Sequence, residues 1–382
     1  MLINQRKKFS LPAKSTYLNC AYMSPLLKSV EKAGIVGIAS KKNPAMIKPA
    51  DFFIGADQLR SEFAKLINVK DKKQIAIIPS ASYGLANAAK NLKMNRGENL
   101  IIAAEQFPSN VYTWMNLATE TGATIKTISP PSSFADRGKI WNERILEAID
   151  TNTRLVALGH VHWADGTKFD LAQIRKRSRE VGALLIIDGT QSVGALPFDV
   201  QAIQPDVLVC GGYKWLLGPY SIGLAYYGNY FDQGQPIEEN WITRKNSEDF
   251  SGLVNYEENY QPGALRYDVG ERSNFILVPM MTAALKQINQ WKPERIQQYC
   301  RKISALSINK LREAGYWVED EKHRGHHLFG VRLPQHKVIQ EVRAKLKKNN
   351  ISVSVRGNAL RVAPYLYNSE SDLIKMVKVL TT

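Results

Sequence analysis

Two stretches in the middle of the chain decide the predicted fold: LLIIDGTQ at residues 184–191 and DVLVCGGYKW at residues 206–215. Each contains an apolar run of strand length, which is typical of a strand buried on both faces of a sheet. The first run ends at Asp188, and the second leads through two glycines to Lys214. Because ligands of such sheets bind at the carboxyl ends of the strands, we expect this carboxylate and this amine to face one crevice.

The alternation of short apolar runs with helical patterns extends on both sides of these stretches. Predicted strands cover residues 75–79, 99–103, 124–128, 155–160, 183–188, 206–210 and 223–227. Helical patterns between them cover residues 83–92, 109–121, 142–149 and 170–181. Strands that alternate with helices predict an α/β domain with a mostly parallel seven-stranded sheet, covered by helices on both faces.

The pattern changes after about residue 263, which predicts a second and smaller domain. Helical patterns at 275–291 and 294–314 precede short predicted strands at 316–318, 327–333, 352–355 and 359–362, and a last helix follows from Ser369. This order is typical of an α+β unit. We therefore divide the chain into an N-terminal segment (1–30) that packs with the small domain, a large α/β domain (31–262) and a small C-terminal domain (263–382).

The composition of the 382 residues excludes several classes of protein. The net charge is +16, from 51 basic and 35 acidic residues, but the basic residues form short scattered groups, so we expect a solvated surface and no nucleic-acid partner. Three dispersed cysteines favour neither a disulfide framework nor a thiolate zinc cluster, and they suggest the reducing cytoplasm. No apolar run approaches the ~20 residues of a membrane span, and the N-terminus does not look like a secretory signal.

A third stretch, IIPSASYG at residues 77–84, reads as a strand, small residues and the start of a helix. Free backbone N–H groups and the helix dipole could bind a phosphate there. Ser82 could equally be no more than a helix cap. The glycine patterns of dinucleotide-binding folds and of P-loops are absent, which argues against both.

Each of the other candidate groups also has a purely structural interpretation. Asp188 alone could cap the following turn, and Lys214 alone could be a lysine whose stem lies on surface aromatics. His160 and His162 share a strand face without an evident carboxylate or thiolate partner, so no metal site is predicted. Together, however, a phosphate cradle, a carboxylate and an enclosed lysine with a lowered pKa are what pyridoxal phosphate chemistry requires.

At this point the sequence resembles the class V aminotransferase family, which includes cysteine desulfurases, kynureninase and isopenicillin N epimerase-like proteins. The similarity rests on DGTQ (188–191) and GGYK (211–214), with further blocks at YLNCA (17–21), FPSN (107–110) and LRVAPYLYN (360–368). It extends over nearly the whole chain. It implies a fold-type I transferase that uses pyridoxal 5'-phosphate, acts on an amino acid or amine, and forms a homodimer with composite active sites.

The resemblance implies roles for the two catalytic residues and their nearest neighbours. Lys214 would carry the cofactor as a Schiff base and then move a proton at the substrate Cα. Asp188 would hold the N–H of the cofactor ring, which keeps the ring an electron sink. Gln191 would donate a hydrogen bond to the phenolate oxygen of the cofactor.

The resemblance also implies how the phosphate, the ring face and the substrate are bound. Ser82 and the backbone near Ala81 would bind the phosphate. Phe107 would lie on the ring face, as in kynureninase, and Tyr213 would correspond to the phosphate-binding tyrosine of kynureninase. Arg361 matches the arginine that binds the substrate α-carboxylate.

Three positions depart from the family pattern. Gly211 stands where desulfurases have a phosphate-binding serine, and Trp163 stands where they have an asparagine over the ring oxygen. Gly270-Glu271 replaces a Gly-Thr pair whose threonine binds the phosphate of the partner subunit in many members. Arg272 or Ser273 could substitute for that threonine.

The reaction that we expect first is transamination. A lyase or hydrolase of the kynureninase or desulfurase type is the second interpretation, and epimerisation is the third. The mobile cysteine of desulfurases has no counterpart in residues 351–360, which contain no cysteine. A protein that binds pyridoxal phosphate without catalysis remains an alternative from another class.

Overall fold

The structure, a computed structural model, describes residues 2–382. Its strands in chain order are β1 (Thr16–Tyr17), β2 (Ile75–Ile78), β3 (Asn99–Ala103), β4 (Thr124–Ile128), β5 (Thr153–Gly159), β6 (Leu184–Asp188), β7 (Val207–Gly211), β8 (Gly223–Tyr227), β9 (Phe329–Arg332), β10 (Ile351–Ser352), β11 (Ser354–Arg356) and β12 (Ala359–Val362). Its α-helices are α1 (Lys28–Ser40), α2 (Asp51–Leu66), α3 (Ala81–Lys90), α4 (Tyr112–Thr121), α5 (Arg137–Ala148), α6 (Leu171–Glu180), α7 (Val200–Ile203), α8 (Leu277–Trp291), α9 (Pro293–Glu313), α10 (Ile339–Lys348) and α11 (Glu370–Thr381).

The large sheet contains seven strands in the order β2-β8-β7-β6-β5-β3-β4. Strand β8 runs antiparallel to β2 and β7, and the other neighbouring strands are parallel. The predicted fold class, with its mostly parallel seven-stranded sheet, is therefore confirmed. Every residue of β2, β3, β7 and β8 is buried, which explains why these strands read as unbroken apolar runs.

A second sheet of three antiparallel strands has the order β11-β12-β9. The predicted strand at 316–318 is wrong, because only an isolated bridge between Trp317 and Arg332 forms there. The predicted strand at 352–355 is divided into β10 and β11. Strand β10 turns away to pair with β1 in parallel, which joins the N-terminal segment to the C-terminal part of the chain.

The division of the chain into domains stays a prediction. One hydrophobic cluster contains Leu18 of the first segment, Phe63 and Leu208 of the predicted large domain, and Leu285 and Leu360 of the predicted small domain. Since this core is continuous across the predicted boundaries, burial alone does not separate the units. Within residues 2–382, none of the helices combines the length and the apolar character needed to cross a membrane.

A buried carboxylate, Asp268, ties α2 and β2 to the segment before α8. It pairs with Arg60 of α2 and with Arg272, whose Nε lies 3.1 Å from Oδ2, and it accepts the backbone N–H of Ile77 at 2.7 Å. The side chain of Asp268 is fully buried, so the two guanidinium groups share one carboxylate away from water. A buried charge that loses its partner is strongly destabilising.

We therefore expect Asp268→Asn to lower the free energy of unfolding by about 3–5 kcal/mol, because Arg60 and Arg272 lose their shared counter-charge. Asp57→Asn is the control, since Asp57 also pairs with Arg60 but is half exposed. Exposed ion pairs contribute about 0–1 kcal/mol, so that variant should remain close to the wild type. Urea denaturation measures both, and equal losses in the two variants would contradict the interpretation.

Candidate active site

A cavity of about 330 Å³ opens at the carboxyl edge of the large sheet, where β2, β5, β6 and β7 end. All seven residues predicted to bind the cofactor lie in its wall: Ala81, Ser82, Phe107, Asp188, Gln191, Tyr213 and Lys214. They come from segments far apart in the chain. The structure brings them together because neighbouring parallel strands deliver their following loops to the same edge.

Lys214 is held in the cavity by the turn that follows β7. Gly212 donates its N–H to the carbonyl of Ile222 at 2.9 Å, and a Cβ at this position would clash with that carbonyl, so the turn requires glycine. The Lys214 side chain is buried, with Nζ 5.3 Å from the ring centroid of Phe107 and 5.4 Å from that of Tyr213. Burial lowers the pKa of Lys214 to about 8, against the opposing effect of Asp188. The neutral fraction of the amine near neutral pH is therefore larger than that of an ordinary lysine.

Asp188 is the last residue of β6 and lies beside the end of β7, in register with Val209. One carboxylate oxygen, Oδ1, accepts the backbone N–H of Thr190 at 2.9 Å. Oδ2 has no protein partner among residues 2–382. An ionised carboxylate accepts hydrogen bonds only, so this free oxygen suits the N–H of a pyridinium ring.

Helix α3 begins at the cavity, directly after β2. The structure corrects the predicted cap: Ser80, not Ser82, is the N-cap, and its Oγ accepts the N–H of Tyr83 at 3.2 Å. Ser82 lies in the first turn with its Oγ 2.9 Å from that of Ser80. In the described chain the N–H groups of Ala81 and Ser82 have no protein acceptor, as expected for the first turn of a helix. Free N–H groups and the positive end of the helix dipole fit a phosphate.

Two side chains that line the cavity are more constrained than the sequence suggested. Gln191 donates from Nε2 to the carbonyl of Ala21 at 3.2 Å and accepts the indole N–H of Trp215 at 2.9 Å, so it keeps a single free N–H. Phe107 meets Trp163 edge to face at a centroid distance of 5.4 Å. The indole N–H of Trp163 is fixed on the carbonyl of Glu105 at 2.6 Å.

A buried carboxylate that the sequence analysis missed lies behind His162. His162 lines the cavity, and its Nδ1 is 3.3 Å from Oδ1 of Asp165. Burial alone would raise the pKa of Asp165, but His162 and Arg137 hold it well below the usual range. In the sequence, the only sign of this pair is the three-residue spacing between His162 and Asp165. Nowhere in residues 2–382 do three His, Cys, Asp or Glu side chains converge as metal ligands would.

Arg361 does not lie in the wall of the cavity but behind Trp163. Its side chain is buried, Nη1 donates to the carbonyl of Trp163 at 2.9 Å, and Nη2 is 3.5 Å from Oγ of Ser354. Nε is buried without a partner, and no carboxylate pairs with the guanidinium in the described part of the chain. Burial and the neighbouring Arg356 lower the pKa of Arg361 to about 9. A buried cation without a counter-charge is poised for an anion from outside the protein.

The two residues considered as substitutes for the family threonine are engaged elsewhere. Arg272 pairs with the buried Asp268, and the hydroxyl of Ser273 donates to the carbonyl of Phe52. Neither lines the cavity of its own chain. At Gly211 a Cβ would make only ordinary contacts, so the missing serine is not excluded by space.

The cavity thus combines the groups that pyridoxal phosphate needs: a buried amine of lowered pKa, a carboxylate with a free oxygen, and a helix N-terminus. Comparisons with known proteins agree with this chemistry. The family model "Aminotransferase class-V" matches residues 49–372. An uncharacterized aminotransferase of Bacillus subtilis, YcbU, is 28% identical over 315 residues, which are 82% of this chain and 80% of that protein.

Other relatives carry different activities. A cysteine desulfurase of Shigella sonnei is 30% identical over 183 residues, 47% of this chain and 44% of its own length. A solved structure of C-DES, with glycine covalently linked to its pyridoxal phosphate cofactor, has a TM-score of 0.86 at 18% identity and covers 99% of both chains. This likeness supports the fold alone. With the family model matching most of its length, the chain belongs to the class-V aminotransferase family, whose cofactor, pyridoxal phosphate, it uses.

Proposed function

We propose that the protein transfers the amino group of an amino acid to a 2-oxo acid. The observation that carries this proposal is the buried Lys214, with a pKa of about 8, in one cavity with Asp188, while the guanidinium of Arg361, which has no carboxylate partner among residues 2–382, contacts Trp163 in the wall of that cavity. The amine provides covalent attachment of the cofactor and a proton carrier. The cation provides a site for the substrate α-carboxylate.

Each group of the site has one task in this proposal. When bound, the cofactor supplies an electron sink that stabilises negative charge at the substrate Cα. Asp188 would accept the ring N–H through its free oxygen, and Phe107 would cover the ring face. Lys214 would take the proton from the substrate Cα as a neutral amine and give it up again as an ammonium group, because its lowered pKa would make both forms available near neutral pH.

Different groups would bind the phosphate and the substrate. The N–H groups of Ala81 and Ser82 and the dipole of α3 would bind the phosphate, with Tyr213 as a further donor. Gln191 offers its remaining N–H to the phenolate oxygen. Arg361 binds the α-carboxylate, and this orients the bonds at Cα relative to the ring.

Lyase chemistry is the second candidate, favoured by the similarity to cysteine desulfurases. The structure offers no thiol for attack on a substrate sulfur. Strands β11 and β12 are joined by Gly357 and Asn358 alone, which leaves no room for a mobile loop. Cys20, Cys210 and Cys300 are fully buried, and burial raises the pKa of all three thiols. A lyase that acts without a protein thiol remains compatible with the site.

The experiment that tests the function is a panel of amino acids added to the protein loaded with cofactor. We expect the absorbance of the cofactor to change and a 2-oxo acid to be converted to its amino acid. Lys214→Ala should abolish turnover and the fixation of the cofactor by borohydride, whereas Lys345→Ala on the exposed face of α10 should change neither. Release of ammonia or sulfide instead of amino transfer would favour the lyase, and an unchanging spectrum would favour a non-catalytic binding protein.

The pKa of Lys214 predicts how cofactor uptake depends on pH. Only the neutral amine attacks the aldehyde of the cofactor, so the uptake rate of the apoprotein should rise with pH through a midpoint near pH 8. Arg361 lowers this pKa, hence Arg361→Gln should move the midpoint to higher pH. Stopped-flow absorbance measures the profile. A midpoint near 10.5, the ordinary lysine value, would contradict the burial of the amine.

A separate prediction concerns Arg361 as the carboxylate site. A guanidinium offers two parallel donors to a carboxylate, and lysine does not reproduce them. Arg361→Lys should keep the yellow colour of the bound cofactor but raise the apparent KM on the order of a hundredfold, since each bond to a charged group contributes roughly 1.5–3 kcal/mol. The exposed Arg343→Lys is the control. An unchanged KM would indicate an amine substrate without an α-carboxylate.

We also propose a homodimer with composite active sites. Exposed apolar side chains support the dimer. Ile35, Val36 and Ile38 of α1 are more than half exposed, and so are Val254 and Tyr256 in the segment before α8. Exposed apolar groups of this kind mark contact surfaces. In such a dimer the segment from Arg266 to Asn274 of each subunit would reach the active site of the other subunit.

Sedimentation should therefore find a dimer, and Val36→Glu should weaken it because a charge would be buried in the interface. Val338→Glu, at the start of α10 and similarly exposed, is the matched control and should leave the dimer unchanged. A wild-type monomer with full affinity for the cofactor would contradict the composite site.

A further inference from the structure

Three arginines lie on one face of the small sheet. Residues directly opposite one another on antiparallel strands share a face, and alternate residues along a strand do so too. Arg361 lies opposite Ser354, Arg356 lies opposite Ala359, and Ala359 lies opposite Arg332. The strand register therefore places Arg332, Arg356 and Arg361 on the same side.

Among residues 2–382, only one of these three cations has a counter-charge. Arg332 lies 3.4 Å from Oδ2 of the buried Asp165. Arg361 has no carboxylate partner, as described above. Arg356 donates to the carbonyl of Val355 at 2.7 Å, but its Nε is buried without a partner and it forms no ion pair in residues 2–382.

Arg356 and Arg361 both pack on Trp163. Their guanidinium carbons are 5.1 Å and 5.9 Å from the centroid of the indole ring. Trp163 also lines two cavities, the one that contains Lys214 and a second one of about 780 Å³. The two cavities are therefore adjacent at Trp163, and they also share Gln106.

The second cavity is rich in cations. Arg137, Arg332 and Arg356 line it, together with Phe134 and Asn358. Its two acids do not neutralise Arg356, because Asp165 is already shared by His162, Arg137 and Arg332, and Glu105 is exposed at the rim without an ion pair in the described chain. Arg356 also helps to lower the pKa of Lys214 and of Arg361, so its charge is felt within the first cavity.

We propose that the cavity beyond Trp163 binds a negatively charged group at the far end of the substrate, with Arg356 as its ligand. The substrate class is then an amino acid with an acidic side chain, whose α-carboxylate is on Arg361 and whose second acidic group is on Arg356. This inference rests on the proposed function. A planar guanidinium with free donors matches a carboxylate or a similar oxyanion, and both guanidinium groups pack on the same indole ring.

Binding of inert carboxylates tests the site without any reaction. Calorimetry on the protein loaded with cofactor compares succinate, glutarate and adipate with butyrate, valerate and hexanoate, the monocarboxylates of equal length. We expect at least one dicarboxylate to bind about tenfold or more tightly than its monocarboxylate, because one charge-assisted contact is added. Arg356→Gln should remove that advantage, and Arg343→Gln on α10, an exposed arginine outside both cavities, should keep it.

Turnover then tests the substrate class. The ratio of kcat/KM for glutamate over glutamine, and for aspartate over asparagine, should favour one acidic member in the wild type and fall about tenfold in Arg356→Gln. Equal binding of dicarboxylates and monocarboxylates, or a ratio that Arg356→Gln does not change, would overturn the inference. Turnover of neutral amino acids alone would overturn it while the proposed function stands. If no amino acid is turned over, the proposed function is overturned. The calorimetry needs no reaction, so it would still decide whether Arg356 binds an anion.

Discussion

The parallel pairing of β6 with β7 is the constraint on which the site depends. Because the two buried strands run parallel and end side by side, Asp188 and the turn that carries Lys214 lie at the same edge of the sheet. Because both strands are buried, their side chains are apolar and the first polar groups occur where the strands end. The same burial lowers the pKa of the lysine and leaves a carboxylate oxygen free for a ring nitrogen. Burial of the strands thus accounts both for the sheet and for the chemical properties of Asp188 and Lys214.

The distribution of charge around the cavity is the physical basis of the ligands proposed above. Lys214, Arg361 and Arg356 lie near one another, and the pKa values of Lys214 and Arg361 are lowered partly by this mutual repulsion. Asp188 opposes it at Lys214. A phosphate and an acidic substrate would bring negative charge to these cations. Their binding would relieve the electrostatic cost of placing buried cations close together.

Sequence reasoning identified the wall of the cavity but not the contacts that constrain it. The N-cap is Ser80, because helix α3 begins at Ala81. The sequence contains two serines at this point, and it does not specify which of them caps the helix. Gln191 is held by Trp215 and by the backbone of Ala21, and neither partner is near it in the chain. Asp165 stayed hidden because its partner His162 was judged by metal spacing alone. The contacts of Gln191 are tertiary, whereas the Ser80 cap and the His162–Asp165 pair each span three residues, and several neighbouring residues could have formed such local contacts.

The sequence by itself determined the large sheet, all seven of whose strands lie within about two residues of the predicted positions, and it determined the residues that follow those strands. Unbroken apolar runs specify burial on both faces, and burial requires a covered parallel sheet whose polar residues lie at its edge. Only the tertiary structure decided that Arg361 lies behind Trp163 and that Arg356 shares its face. That arrangement depends on the register of three short strands and on how they pack against the large sheet. A shift of one residue in the register would turn these side chains to the other face, and no local pattern in so short a strand specifies it.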